Sequence, residues 1–324
     1  MKARSSADAW DIASGVGLTA VMVALARAAE AKSVNPLVCD YLAETLVSTP
    51  ELADVRDQIA RWWSSAEETL REYSAANAQH MIDYQAVRTR FFDDFYASCC
   101  DAGIRQHVIL AAGLDSRAYR LDWPPDSVVY EIDLPKVLEY KSRTLMRHGA
   151  RPRAIRREVA ADLRDDWLAT LKAAGFDATA PTAWLAEGLL PYLPGPVQER
   201  LFNTIEILSC AGSRVALEAL SLDDVHGPQM VKRWNEAKQG PQESGDDIAV
   251  APFELFSAPE GRPDCGKWFI AHGWAMHSVE SGAELRRHRR ATAPKSYEEQ
   301  PYVSNFVLAE RRAAESSLLC PPGS

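Results

Sequence analysis

The spacing of apolar positions changes character near Gly103. Upstream, Leu18, Val21, Met22, Leu25, Ala28 and Ala29 recur at helical spacing, with Arg27 and Glu30 off the apolar face. Asn35-Pro36 and Thr49-Pro50 punctuate the chain, and Pro50 stands where a helix can begin. From Glu51 to Cys100 there is no glycine and no further proline, which predicts two or three helices, one over 84–96. Downstream, short apolar runs alternate with helical stretches. Strands are predicted at 107–111, 128–132, 154–158, 182–187, 214–219, 274–279 and 305–310. Helices are predicted at 116–121, 135–148, 167–174, 196–210, 266–272 and 282–290. This alternation specifies a parallel sheet with right-handed crossovers and helices on both faces. Residues 221–265 break the pattern with glycine, proline and charge around a helix predicted at 228–238, followed by an apolar patch at 250–256. They read as a lid-like insertion. The expected organisation is an amino-terminal helical cap (1–103), an α/β domain (104–312) carrying the insertion 221–265, and a flexible tail (313–324).

Composition narrows the function. The 324 residues are 47% hydrophobic and 25% charged, enough apolar material for a substantial core. A net charge of −9 argues against nucleic acid as a partner, because phosphate neutralisation needs a basic face. The basic run Arg286-Arg287-His288-Arg289-Arg290 reads as a solvated helix face. Six cysteines without Cys-x-x-Cys spacing read as buried thiols of a reducing compartment, with no metal site expected. The pair Cys99-Cys100 reads as a helix end. A polar amino terminus without a signal peptide, and no apolar run long enough for a membrane span, predict a cytoplasmic protein with no membrane partner. The oligomeric state stays open.

The segment 107–135 carries the chemistry. One apolar run ends at Gly113 and a second ends at Asp133, 133 − 113 = 20 residues later. This suits a nucleotide site at the carboxyl ends of two parallel strands: the glycine lets backbone approach a ligand, and the carboxylate accepts from a ribose diol. A dinucleotide would call for Gly-x-Gly-x-x-Gly. Here a single glycine is followed by Leu114 and Arg117 where a pyrophosphate wants small residues, and no phosphate-binding Gly-x-x-x-x-Gly-Lys loop is present. The loop therefore fits an adenosine ligand without phosphates, of which S-adenosyl-L-methionine is the common example. Asp162-Leu163 follows the third predicted strand, where a carboxylate can take the adenine amine and a leucine can cover the ring. Glu187 ends the fourth strand, beside the expected sulfonium.

The strings Ala-Ala-Gly-Leu-Asp-Ser-Arg-Ala-Tyr-Arg-Leu (111–121), Tyr-Glu-Ile-Asp-Leu-Pro (130–135) and Asp162-Leu163-Arg164 resemble the leucine carboxyl methyltransferase-like family. The match is closest to the S-adenosylmethionine-dependent methyltransferases abundant in mycobacteria. Val87-Arg88-Thr89-Arg90-Phe91-Phe92-Asp93, Trp184-Leu185-Ala186-Glu187-Gly188 and His272-Gly273-Trp274 add to the resemblance, which spans roughly residues 10 to 312. It implies a class I methyltransferase (Rossmann-like) fold: a seven-stranded, mostly parallel sheet whose last strand is antiparallel, plus the helical cap. Residue by residue, it implies Asp133 for the ribose, Asp162 and Leu163 for adenine, Gly113 for the methionine moiety and Glu187 for its amino group. Arg88 is implied for the methionine carboxylate, with Arg90 close enough to compete and Arg27 as a second basic contact. Cys39-Asp40-Tyr41-Leu42-Ala43 departs from the family's Asp-Pro-Phe-Ala and puts the course of the cap there in question.

Methyl transfer from a sulfonium is an in-line displacement served by alignment and exclusion of water. A carboxylate acceptor is ionised near neutral pH and needs no base, whereas a hydroxyl benefits from one. His226, Tyr192 and His277 are the candidate bases, and none is compelling, so no catalytic residue is assigned. The leading expectation is O-methylation of a small-molecule carboxylate or phenol, yielding S-adenosyl-L-homocysteine. The alternatives are a protein carboxyl methyltransferase, a non-catalytic S-adenosylmethionine-binding protein, and a nicotinamide-dependent oxidoreductase disfavoured by the missing glycines. Trp62-Trp63 and the aromatics at 91–96 read as core, and the patch at 250–256 as core or pocket wall.

Overall fold

The computed structural model describes residues 16–64, 71–220, 256–258, 260–290 and 304–312. The helix predicted at 228–238, His226, the side chains of Trp62 and Trp63, the tail, and the 250–256 patch apart from Phe256 lie outside the described residues.

Among the described residues four α-helices precede the sheet: α1 (Val16–Ala31), α2 (Ala43–Val47), α3 (Ala53–Ser64) and α4 (Arg71–Asp101). The helix expected over 84–96 is the inner part of α4. Then follow β1 (Gln106–Leu110), α5 (Arg117–Arg120), β2 (Val128–Asp133), α6 (Pro135–Arg147), β3 (Ile155–Ala160), α7 (Leu168–Ala173) and β4 (Thr182–Ala186). The chain continues through α8 (Gly195–Ile207), β5 (Arg214–Leu220), α9 (Cys265–Ala271), β6 (Trp274–Glu280), α10 (Ser281–Arg287) and β7 (Ser304–Arg311). Each predicted strand is present, displaced by at most two residues at its ends. That is the usual precision, because chain ends answer to local hydrogen bonds that hydrophobic period does not encode.

The strands form one sheet in the order β3-β2-β1-β4-β5-β7-β6. Neighbours are parallel from β3 to β5, and β7 runs antiparallel between β5 and β6. This is the class I methyltransferase arrangement. The central strands β1 and β4 are buried along their whole length, and alternate side chains serve two cores. Ile109, Ala183, Leu185, Ala216 and Phe306 point into one core with α1, α4 and α6. Val108, Leu110, Trp184, Leu217 and Val307 point into the other with Leu171 of α7, Phe202 of α8 and Phe269 of α9. The crossovers through α5 and α6 lie on the first face, and those through α7 and α8 on the second. The face changes between β1 and β4, so their carboxyl ends splay apart there and open a crevice.

Several expectations need adjustment. Phe92, Phe95, Tyr96 and Cys99 are buried as expected, but Cys39 is exposed and Cys100 and Cys210 are partly so, so the thiols are not uniformly interior. The basic run is not wholly a solvated face. Arg286, Arg287 and Arg289 are exposed, while Arg290 turns inward to Glu30 and Asp83, two acids buried in α1 and α4. Burying those carboxylates without a cation would be expensive, which explains the inward turn. The Cys39–Ala43 segment keeps a defined course without its proline. Buried Asp40 takes the backbone N–H groups of Leu42 and Ala43, each at 3.2 Å, and the Ser116 hydroxyl at 2.8 Å. Among the described residues no helix is long and apolar enough to cross a membrane.

Candidate functional site

The chain leaves β1 through a backbone that the sheet cannot continue. Ala111 has φ 52° and Gly113 has φ 45°. The left-handed region costs an ordinary L-residue roughly 1–2 kcal/mol, so strain is held at the mouth of the crevice. A Cβ at Gly113 would sit 3.4 Å from Cβ of Ala20 on α1, so the left-handed φ rather than crowding is what favours glycine there. The cap helix therefore lies directly against the loop.

The Gly113 N–H donates to Oδ2 of Asp133 at 2.6 Å, and the Leu134 N–H donates to Oδ1 at 2.7 Å. Each carboxylate oxygen is thus oriented by one backbone donor and keeps lone-pair capacity for a hydroxyl. Burial raises the Asp133 carboxyl above the usual aspartate range, outweighing those two donors. The signal read at the sequence level, a glycine and an acid on neighbouring strands, is here one hydrogen-bonded unit.

The other expected residues are placed as follows. Asp162 lies two residues beyond β3, half-buried, with its carboxylate bonded to Nε of Arg164 at 2.9 and 3.0 Å. Burial would raise its pKa, but Arg164 outweighs that and lowers it. Leu163 is buried in the second core rather than standing open in the crevice. Arg88 is buried on α4, where Nε meets Glu187 at 2.9 Å and Nη1 meets Glu218 at 2.8 Å. Arg90 is exposed and pairs with Asp94 one turn on, so Arg88 is the arginine that faces inward. Arg27 is buried, and its Nη2 donates to the Leu114 carbonyl at 2.7 Å; it holds the glycine loop rather than opening onto the crevice.

Further charged residues complete the surroundings. Arg117, fully buried at the start of α5, donates to Asp93 at 2.7 Å, to Glu187 at 2.7 Å and to Asp115. Burial alone would lower its pKa, but Asp115, Glu187 and Asp93 hold it well above the ordinary arginine value. The same cations act on Asp115: burial would raise it, and Arg117, Arg27 and Lys141 bring it down to about 2. Arg120 clasps Asp93 from the other side. Lys141 of α6, fully buried, bridges Glu131 of β2 at 2.8 Å and the Asp115 carbonyl at 3.1 Å. Glu218 of β5 accepts from the Tyr84 hydroxyl, from Arg88 and from the Gly188 N–H at 2.8 Å. A signal for two of these acids was present: Glu131 and Glu218 are carboxylates flanked by apolar residues within their strands, and charges so placed are rarely buried without partners.

Of the candidate bases, His277 is exposed on β6. Tyr192 is half-buried after β4, its ring edge-on to Phe256 at 5.3 Å. Burial raises its phenol pKa against the opposing bond to Thr19, so it stays protonated near neutral pH. The crevice can therefore orient a ligand through a paired carboxylate, a strained glycine loop and an arginine between two acids. Leu114 and Arg117, which stand where a pyrophosphate loop has small residues, are both buried.

Comparison with known proteins identifies the family of the chain. The profile of the family described as leucine carboxyl methyltransferase matches residues 20–206, more than half of the chain. A "Putative S-adenosyl-L-methionine-dependent methyltransferase" of Mycobacterium ulcerans (strain Agy99) is 53% identical over 310 residues, covering 94% of this chain and 98% of that protein. A protein of the same name from Mycobacterium tuberculosis (strain ATCC 25177 / H37Ra) is 49% identical over 290 residues, 89% of each chain. The crystal structure of a DUF574 family protein from Streptomyces avermitilis MA-4680 aligns with TM-score 0.49 and 14% identity, covering 83% of this chain and 95% of that one. The chain belongs to the leucine carboxyl methyltransferase family and is an S-adenosyl-L-methionine-dependent methyltransferase.

Proposed function

We propose that the enzyme transfers the methyl group of S-adenosyl-L-methionine to an oxygen of a small-molecule carboxylate, with the cofactor across the β1/β4 crevice. The observation that carries the cofactor placement is the Gly113–Asp133 unit at 2.6 Å. Asp133 would take the ribose hydroxyls, Gly113 would admit the methionine chain, and Asp162 would take the adenine amine on the lone pairs that Arg164 leaves free. Leu163 would support the adenine wall from the core. Arg88 and Glu187 would receive the methionine carboxylate and ammonium, a zwitterion matched by a guanidinium and an acid already facing one another. The cofactor supplies an electrophilic methyl group on a sulfonium. The protein aligns the acceptor oxygen behind it and excludes water, an orientation effect that can reach about 7–11 kcal/mol.

A carboxylate acceptor is favoured because it arrives ionised. Tyr192 stays protonated and His277 is exposed, so neither supports activation of a hydroxyl. The family description points the same way and also supports a second reading, methylation of a protein carboxyl group. Calorimetry with S-adenosyl-L-homocysteine and NAD tests the cofactor; binding of NAD alone overturns it. Transfer of a labelled methyl group to panels of carboxylic acids and phenols tests the acceptor. Label released as methanol by mild alkali identifies an ester, and alkali-stable label identifies an ether. Transfer only to an intact protein would replace the small-molecule reading with the second one.

A further inference from the structure

A cavity of about 340 Å³ lies on the α8/α9 side of the sheet, between β5, β7 and β6 and the turn after β4. That size is at the lower end of the range for small-molecule sites. Ala219, Val307, Met276 and Leu190 give it an apolar wall, and Arg262 stands at its rim.

Arg262 differs from the arginines of the crevice. Its Nη2 donates to two carbonyls, Pro191 at 2.8 Å and Ser257, while its Nε is buried with no hydrogen-bond partner. No carboxylate lies within ion-pair distance of it among the described residues. Burial lowers its pKa to about 10, and exposed Glu260 offsets only part of that. The neighbouring acid Asp264 is turned to Lys267, accepting its N–H at 3.0 Å and facing its ammonium at 3.5 Å. A half-buried guanidinium that faces no carboxylate among the described residues is an incomplete pair, and the partner it lacks is an anion.

The framework around it is fixed. Ser257 donates its N–H to the Pro191 carbonyl at 2.9 Å and its hydroxyl to the Tyr192 carbonyl at 2.8 Å. Gly195 admits the strap on its other side: a Cβ there would meet the Gly261 carbonyl oxygen at 2.0 Å.

We propose that this cavity is a second small-molecule site, taking a carboxylate-bearing apolar ligand with Arg262 as its anion-binding group. The crevice residues Gly113, Asp133 and Arg88 are not among its walls, so the site stands independently of the cofactor placement above.

Octanoate is the probe, with octanamide as its neutral counterpart, titrated into the full chain by calorimetry with and without saturating S-adenosyl-L-homocysteine. Octanoate is expected to bind with or without the nucleoside and at least tenfold more tightly than octanamide. Arg262→Gln, which removes the charge, should weaken octanoate at least tenfold and leave octanamide unchanged. Ser278→Trp, on an exposed position of the cavity wall, should weaken both by filling space. Unchanged S-adenosyl-L-homocysteine affinity in both variants shows that they fold, and its failure to bind the unmodified protein would count against the cofactor placement alone. Equal octanoate affinity in the unmodified and Arg262→Gln proteins, no octanoate binding, or competition between octanoate and S-adenosyl-L-homocysteine would each overturn the proposal.

Discussion

The β1/β4 crevice and the Arg262 cavity treat charge in opposite ways. Around the crevice, each buried arginine is matched: Arg88 lies between Glu187 and Glu218, and Arg117 among Asp93, Asp115 and Glu187. Beyond β5, Arg262 has two carbonyls and, among the described residues, no acid. A saturated lattice can exchange partners with a zwitterion at little electrostatic cost, since each ligand charge replaces one of like sign. An unsaturated guanidinium instead favours a net anion. The arrangement of countercharge, more than the number of basic residues, distinguishes what the two places can hold.

The comparison breaks most readily at Arg117. Arg117→Leu leaves three acids around an apolar side chain, and removing one partner from a buried ion network costs about 3–5 kcal/mol. Urea unfolding should show a loss of that size with loss of S-adenosyl-L-homocysteine binding; a loss under 1 kcal/mol would mean the lattice is not a unit. Next, Asp133→Ala should weaken S-adenosyl-L-homocysteine by about 1.5–3 kcal/mol, the range for hydrogen bonds to a charged group. Calorimetry reads this directly, and unchanged affinity would move the ribose elsewhere.

A pH titration of the same affinity is sharper though smaller. The Asp133 pKa is raised in the folded protein, and ribose hydroxyls bind the ionised form better. Affinity should be full at neutral pH and fall on acidification, beginning above the ordinary aspartate range. A profile flat down to the usual aspartate pKa would contradict the assignment. The smallest effect belongs to Arg90→Ala, which removes an exposed pair with Asp94 worth about 0.3–0.5 kcal/mol and should leave nucleoside affinity unchanged. A large effect there would restore Arg90 as the competitor to Arg88.

The two places also differ in how far the sequence disclosed them. The sheet was legible because β1 and β4 are short apolar runs buried on both faces, and hydrophobic period reports burial directly. Asp133 was legible because an acid closing such a run stands at a strand end. Arg117 was read as an obstacle to pyrophosphate and not as a hub, because its partners arrive from Asp93 on α4 and Glu187 after β4. Periodicity is blind to contacts of that separation. Leu163, expected to cover a ring, packs in the core, where a leucine after a strand most often goes. Arg262 gave no signal, since an unmatched arginine is defined by what fails to surround it.

The cap's attachment to the loops after β1 and β4 has a consequence for synthesis. Asp40 and Asp93 leave the ribosome before Ser116, Arg117 and Arg120 exist to receive them, and Arg88 precedes Glu218 by 130 residues. At about 5–20 residues per second, that last interval is on the order of ten seconds. Helices α1 and α4 are therefore made well before some of the partners that neutralise them, Arg290 for Glu30 and Asp83 among them. The nascent chain carries Arg88 and Tyr84 without their Glu218 partner until β5 has been made.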